Sequence, residues 1–171
     1  MTLSPAAFET IRTHLEDTKT TPKDYDLIVT GDLGTIGAEA LMGLCRESGI
    51  AIGGKLTDCG NLIYDPIRQD VHAGGSGCGC SAVVLCSELL NRLQAGKLKK
   101  ILFCGTGAMM SPTSANQGES IPGICHLLEI CRQANCQAVG VGIGVEKGFQ
   151  PGGQKLRENG VKLLSLAVVE K

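Results

Sequence analysis

Residues 69–82 read QDVHAGGSGCGCSA, a run of small residues between a polar turn and an apolar helix. Glycine permits positive φ and close approach of backbones, so the glycines of residues 74–80, here named the glycine loop, predict a tight turn. The hydroxyls of Ser76 and Ser81 are suited to cap the following helix, because a serine oxygen accepts from a free first-turn amide. The loop is therefore expected to present helix amides to an anion or a carbonyl oxygen. A close-packed crossing of two helices, where only glycine fits, is the alternative.

Three side chains in or beside the glycine loop can carry chemistry: His72, Cys78 and Cys80. A helix amino terminus can activate a thiol, although a buried, inert thiol is the simpler interpretation. Zinc at Cys78, Cys80 and His72 is an alternative, but a Cys-x-Cys pair with one histidine and no second pair is a weak zinc signal. We predict no bound metal and no cofactor from these residues.

Two short apolar runs predict buried strands, at residues 26–30 (DLIVT) and 101–104 (ILFC). Each leads into a turn of small residues, 31–34 and 105–108. Ligand sites of α/β sheets commonly lie at the carboxyl ends of strands, so Asp32 is a candidate ligand-binding residue. Its alternative role is that of a carboxylate that caps the next helix.

The helix after the glycine loop is expected to bury one face. The spacing of its apolar residues predicts that this face consists of Val83, Cys86, Leu89, Leu90 and Leu93.

Composition excludes several classes of function. The 171 residues carry a net charge of −1, which gives no reason to expect binding to nucleic acid or to an anionic membrane surface. Nine cysteines, mostly within apolar runs, fit reduced thiols in a cytoplasmic protein better than a disulfide framework. The 24 glycines and the absence of tryptophan indicate close backbone packing in one layered α/β domain of ordinary size.

Residues 26–126 resemble the carboxy-terminal half of the stage V sporulation protein AD family. The motifs that carry the resemblance are GDLGTIGAEAL, DCGNLIYD, QDVHAGGSGCGCSAVV, GTGAMMSP and GESIPGICH. The resemblance implies one half of a thiolase-like layered fold. It also implies a role in the apparatus that moves dipicolinic acid into developing spores, by binding that acid rather than by catalysis. The implied partners are dipicolinic acid or a similar small carboxylate and the other proteins of the spore transport complex.

Local chemistry and the resemblance together give one candidate site. Its ligand-binding residues are Asp32, Asp70, His72, Gly75, Ser76, Gly77, Cys78 and Cys80. Loop amides and the imidazole can meet a pyridine dicarboxylate, and a divalent cation can bridge such a ligand to the aspartates.

Thiolase-like enzymes take their nucleophilic cysteine from a half that this sequence does not match. Their histidine and asparagine positions correspond to the Asp32 loop and to residues 75–78, where neither residue type stands. We therefore assign no catalytic residue, and a thiolase-like acyltransferase remains an alternative.

The tail, residues 127–171, resembles the carboxy-terminal end of xanthine phosphoribosyltransferase through LLEICRQA, VGVGI, EKGFQPGG and SLAVVE. The pattern predicts an αβαβ segment, with helices at 127–134 and 153–159 and strands at 138–145 and 161–169. The resemblance implies that Lys147 is the remnant of a purine pocket. The family's phosphate-binding loop is missing before it, so the transferase remnant is a further alternative.

The chain thus divides into a half domain, residues 1–126, and an appended segment, residues 127–171. A half domain leaves apolar surface uncovered, so we expect either a homo-oligomer or a partner that replaces the missing half. The tail strands are expected to add to the edge of the sheet or to pair in a layer of their own. We expect a cytoplasmic protein, with peripheral attachment at the inner spore membrane as a possibility that the resemblance implies.

Overall fold

The computed structural model of the chain is a mixed α/β fold, as the sequence predicts. It describes residues 3–77, 79–109, 111–131, 141–147, 154, 157–158 and 163–169, with the last two strands described by their backbone. The strands are β1 (Leu27–Thr30), β2 (Leu56–Asp58), β3 (Lys100–Ala108), β4 (Gly123–Cys131), β5 (Val141–Lys147) and β6 (Leu163–Val169). Within the described residues they form one sheet in the order β2-β1-β3-β4-β5-β6.

The sheet combines parallel and antiparallel pairs. β1 pairs in parallel with both β2 and β3, β4 runs antiparallel to β3 and β5, and β5 and β6 are parallel. The carboxyl ends of β1, β2 and β3 therefore lie at one edge, where the loops that follow them meet.

The helices bury apolar residues on both faces of the sheet. They are α1 (Leu3–Thr18), α2 (Gly34–Glu47), α3 (Cys59–Leu62), α4 (Cys80–Val84), α5 (Leu90–Gln94) and α6 (Pro112–Asn116). A π-helical turn, Leu85–Leu89, joins α4 to α5, and a 3₁₀ turn spans Pro22–Asp24.

Alternating residues of the strands separate the two cores. Ile28 and Leu102 pack with α1 and α2, whereas their neighbours Val29 and Phe103 pack with the helix at residues 80–94. Ile11 of α1 is fully buried, and burial of one such side chain contributes about 1.5–3 kcal/mol. β1 and β3 are therefore covered on both faces.

The predicted inward face of the helix at residues 80–94 is wrong at its amino end. Val83 and Cys86 are exposed, whereas Val84, Leu89 and Leu93 are buried. The π-helical turn accounts for this difference, because its wider turn rotates the residues before it relative to those after it.

Two other local predictions are wrong. Neither Ser76 nor Ser81 caps α4, which begins after Gly79 without a side-chain cap. Residues 105–108, predicted as a turn, continue β3 because they pair with residues 123–126 of β4.

The predicted helix at the start of the αβαβ tail is also wrong over residues 127–131, because these residues belong to β4. They pair antiparallel with β3, from Cys104↔Leu127 to Lys100↔Cys131. The rest of that predicted helix lies outside the described residues. The two tail strands do add to the edge of the sheet, since β5 pairs with β4 at Leu127↔Gly142 and Leu128↔Val141.

None of the helices in the described part of the chain is both long enough and apolar enough to cross a membrane.

Candidate functional site

The loops at the carboxyl ends of β1, β2 and β3 converge on Asp32. One oxygen of its carboxylate accepts from Ser76 Oγ at 3.0 Å and from the Gly77 amide at 3.3 Å. The other accepts from Thr106 Oγ1 at 3.0 Å. Asp32 therefore joins the glycine loop to β3, and it does not cap the next helix as the alternative interpretation proposed.

Asp58 supplies the cap that Asp32 does not. Its carboxylate is 1% exposed and accepts from the amides of Leu33 and Gly34, at 2.9 and 3.0 Å, at the start of α2. It also accepts from the Gly60 amide at 2.9 Å and from Thr30 Oγ1 at 2.6 Å. One buried side chain thus caps α2 and α3 together. Sequence reasoning missed it, although an aspartate directly before a small-residue turn is a capping signal.

The glycine loop packs directly on the backbone of α3. The Gly75 amide donates to the Gly60 carbonyl at 2.7 Å. A methyl group on Gly60 would lie 2.2 Å from the Gly75 oxygen, so no larger residue fits without displacing the backbone. The close-packed interpretation of these glycines is therefore correct at this crossing.

A small pocket of about 60 Å³ opens beside this crossing. Its lining residues are Thr35, Gly60, Asn61, Tyr64, Pro66, Val71, His72 and Gly74. The Thr35 hydroxyl donates to Asn61 Oδ1 at 3.2 Å, so two polar side chains are joined at its wall. Of the residues predicted for the site, His72 is among those that line the pocket, while the lining residues Thr35, Asn61 and Tyr64 were missed.

Asp70 and His72 form a separate, exposed pair. His72 Nδ1 lies 2.8 Å from Asp70 Oδ1, and the two side chains are 84% and 89% exposed. His72 has a φ of 50°, a left-handed conformation that costs a non-glycine residue about 1 kcal/mol. The two candidate aspartates thus have different surroundings. Asp70 pairs with His72 in solvent, whereas Asp32 joins the glycine loop to β3.

The described thiols near the site are poor nucleophiles. Burial, together with the charges of Asp32 and Asp58, raises the pKa of Cys80. Burial raises the pKa of Cys59 to about 12, with Asp58, Cys80 and Asp32 adding to the effect. A thiol of high pKa is largely protonated near neutral pH, whereas the thiolate is the reactive form. The candidate Cys78 lies outside the described residues.

Lys147 is the last residue of β5, where its backbone pairs with Val169 of β6. Among the described residues, no group of three or more His, Cys, Asp or Glu side chains is placed to hold a metal ion.

A second polar cluster lies at the amino ends of β1 and β3. The Tyr25 hydroxyl donates to Glu129 at 2.9 Å and lies 2.9 Å from His14 Nε2. Lys100 Nζ lies 3.1 Å from Glu129 and 4.6 Å from the centre of the Tyr25 ring. Burial alone would raise the pKa of Glu129, but hydrogen bonds from Lys100 and Tyr25 outweigh it and lower that pKa.

Polar loops and a small pocket gather at the carboxyl ends of the parallel strands of this α/β protein, an edge of the sheet here named the loop edge. A family model described as stage V sporulation protein AD (SpoVAD) matches residues 1–131. The chain belongs to this family of sporulation proteins. It is 48% identical over 124 residues to stage V sporulation protein AD of Bacillus subtilis (strain 168). That match covers 72% of this chain and 36% of the relative, so the chain spans about a third of the relative's length.

Xanthine phosphoribosyltransferases match a shorter stretch. The enzyme of Oceanobacillus iheyensis is 59% identical over 44 residues, which cover 26% of this chain and 23% of the enzyme. That of Bifidobacterium animalis subsp. lactis is 42% identical over 72 residues, 42% of this chain and 36% of the enzyme. The stretch matched by the sporulation protein and the stretch matched by this transferase are together longer than the chain. The two likenesses therefore overlap. The boundary near residues 126–127 stays a prediction.

Proposed function

We propose that the chain is a non-enzymatic part of the apparatus that moves dipicolinic acid into spores, and that it binds a small carboxylate at its loop edge. The observation that carries this proposal is the pocket beside the glycine loop, with Thr35, Asn61 and His72 on its wall. Hydroxyl, amide and imidazole groups are the donors that a carboxylate accepts from. Membership of the sporulation family supplies the biological setting.

The glycine loop already holds one carboxylate. Ser76 Oγ and the Gly77 amide donate to Asp32, and this contact supports the proposal that donors of this loop suit a carboxylate ligand. Because Asp32 occupies these donors, we assign the ligand first to the pocket, with Ser76 and Gly77 reached only if Asp32 moves aside. The proposed set keeps Asp70, Gly75 and Cys80 at the margin of the ligand, and Cys78 stays a prediction from the sequence.

A calcium ion would strengthen this interaction. The exposed Asp70 carboxylate contacts His72 of the pocket lining, so a dianionic ligand by itself meets repulsion from Asp70. Calcium takes six to eight oxygen ligands, and a pyridine dicarboxylate leaves several of these positions open. The exposed Asp70 carboxylate is therefore proposed to bind the cation of a calcium–dicarboxylate complex.

Calorimetric titration of the chain with dipicolinate, with and without calcium, tests the proposal. We expect saturable binding that calcium tightens, and we expect Asp70→Asn to remove the effect of calcium. The control Asp17→Asn also removes one exposed carboxylate, but at the end of α1. Absence of binding heat from folded protein in both buffers would overturn the proposal.

The acyltransferase alternative requires an activated thiol, and the raised pKa values of Cys59 and Cys80 argue against it. Rapid alkylation of one cysteine at neutral pH would favour that alternative instead.

The likeness to xanthine phosphoribosyltransferases supports a second candidate, a remnant purine site at Lys147. Titration with xanthine tests it, and we expect Lys147→Ala to abolish any binding that is observed. Xanthine binding that survives this substitution would contradict the assignment.

The proposed partners include a second protein surface, either another copy of the chain or the equivalent of the missing half. Exposed apolar side chains support this proposal, among them Ile36 at 56% and Ile67 at 94% exposure. Attachment to other spore transport proteins at the inner spore membrane remains part of the same proposal.

A further inference from the structure

Tyr64 differs from the other described aromatic residues by its exposure. Tyr25 and Phe103 are buried, at 1% and 7% exposure, and Phe8 packs against the core. Tyr64 is 45% exposed and lines the pocket beside the glycine loop. A half-exposed aromatic ring next to hydrogen-bond donors is typical of a surface that binds another flat molecule.

The backbone beneath Tyr64 holds its ring in place. A methyl group on Gly75 would lie 2.9 Å from Tyr64 Cε2, 3.1 Å from its Cδ2 and 2.5 Å from Ile63 Cγ2. The ring edge therefore rests on the bare Gly75 backbone, a position that any other residue at 75 would disturb. A ring that is fixed before binding loses less conformational entropy when a ligand stacks on it.

The pocket is too small to enclose a whole ring-bearing ligand. Its volume of about 60 Å³ is well below the roughly 150 Å³ of a cavity that encloses benzene. One carboxylate group fits such a space, where Asn61 and His72 can donate to it. The rest of the ligand must then lie outside the pocket, where the half-exposed Tyr64 ring is available for contact.

We infer that Tyr64 is a specificity-determining residue, which selects flat aromatic carboxylates by stacking on the ring while the carboxylate enters the pocket. This inference rests on the proposed carboxylate-binding function and adds the residue that recognises the ring of the ligand. It requires an aromatic side chain at position 64 and does not require the tyrosine hydroxyl.

Two dicarboxylate probes test the inference, flat dipicolinate and aliphatic glutarate, titrated into the full chain in calcium-containing buffer. For Tyr64→Leu we expect affinity for dipicolinate to fall about three- to tenfold, while affinity for glutarate stays within twofold. Tyr64→Phe should bind dipicolinate within twofold of wild type. The control Ile67→Ala removes a side chain from the same loop that is 94% exposed and does not line the pocket.

Nuclear magnetic resonance of ring-labelled tyrosine gives an independent measurement. The chain has two tyrosines, and the buried Tyr25 serves as internal reference. Stacking predicts upfield shifts of the Tyr64 ring signals with dipicolinate and not with glutarate. If wild type binds dipicolinate but Tyr64→Leu binds it equally well, the inference is overturned and the proposed function stands. If wild type binds neither probe, the proposed function fails and the inference with it.

Discussion

The two ends of β1 and β3 hold their polar residues in different ways. At the carboxyl end, Asp32 and Asp58 accept mainly from backbone amides and hydroxyls of the surrounding loops. At the amino end, Tyr25, Lys100 and Glu129 bind one another through their side chains. The Glu129 side chain is 18% exposed, whereas those of Asp70 and His72, beside the carboxyl end, are more than 80% exposed.

This difference separates a site from a structural cluster. Backbone donors fix the loops at the carboxyl end, where His72 and Asn61 are among the residues that line a pocket. At the amino end the charged groups neutralise one another and are half-buried, which suits the attachment of α1 and β4 to the sheet. Substitutions at the two ends should therefore change different properties.

The largest effect is expected for Asp58→Ala, which would leave three amides and one hydroxyl without their acceptor. Each unsatisfied buried donor costs about 1–3 kcal/mol, so we expect the free energy of unfolding to fall by about 4 kcal/mol. Urea denaturation measures this. The exposed control Asp70→Ala should change stability by less than about 0.5 kcal/mol. Equal stability of the two variants would show that the hydrogen bonds of Asp58 do not hold the loop edge together.

A smaller loss is expected for Gly60→Ala, because its methyl group would collide with the Gly75 carbonyl. Overpacking of this kind costs about 1–3 kcal/mol. Gly79→Ala is the matched control, since a methyl group there meets no described atom within 4 Å. If the two variants unfold at the same urea concentration, the loop edge is not fixed by backbone packing.

At the amino end, Tyr25→Phe and Glu129→Gln should each lower stability by about 1–2 kcal/mol, since each removes a partner of a half-buried group. The double variant should lose less than the sum of the two, because the residues share one hydrogen bond. Neither substitution should change dipicolinate binding. The exposed ion pair of Arg12 and Glu16 gives the control Glu16→Gln, with an expected loss under about 0.5 kcal/mol. If the stability losses of the two single variants add up to that of the double variant, Tyr25 and Glu129 do not stabilise the fold through their shared hydrogen bond.

The smallest effect concerns pH. Burial lowers the pKa of His14 below its ordinary 6.5, so the unfolded chain binds this proton more readily than the folded chain. Stability is therefore expected to fall as pH decreases through 6.5 towards the folded pKa. His14→Gln should reduce this slope in urea titrations at pH 7.5, 6.5 and 5.5. Part of the slope should remain, since burial also lowers the pKa of His126.

The central α/β unit could be predicted because its apolar runs are short and clearly bounded. The strand predicted at residues 26–30 corresponds to β1, and the strand predicted at residues 101–104 lies within β3. The glycine loop could also be located from the sequence, because a run so rich in glycine favours a tight turn.

The failures arose where tertiary contacts override local pattern. LLEIC at residues 127–131 has no strand signal of its own, and its pairing with β3 decides its conformation. A π-helical turn changed the buried face of the helix at residues 80–94, which periodicity alone does not reveal. Asn61 and Tyr64 join His72 only through the crossing of Gly60 and Gly75, a contact between distant parts of the sequence.

β4 runs without interruption from Gly123 to Cys131, and so it passes through the point where the two family likenesses were expected to meet. A truncation after residue 126 would therefore cut a strand in mid-length and expose the backbone of β3 from Lys100 to Cys104. Such a fragment would carry an open, apolar sheet edge prone to aggregation. Both family likenesses therefore depend on one shared strand, β4, for the closure of the sheet.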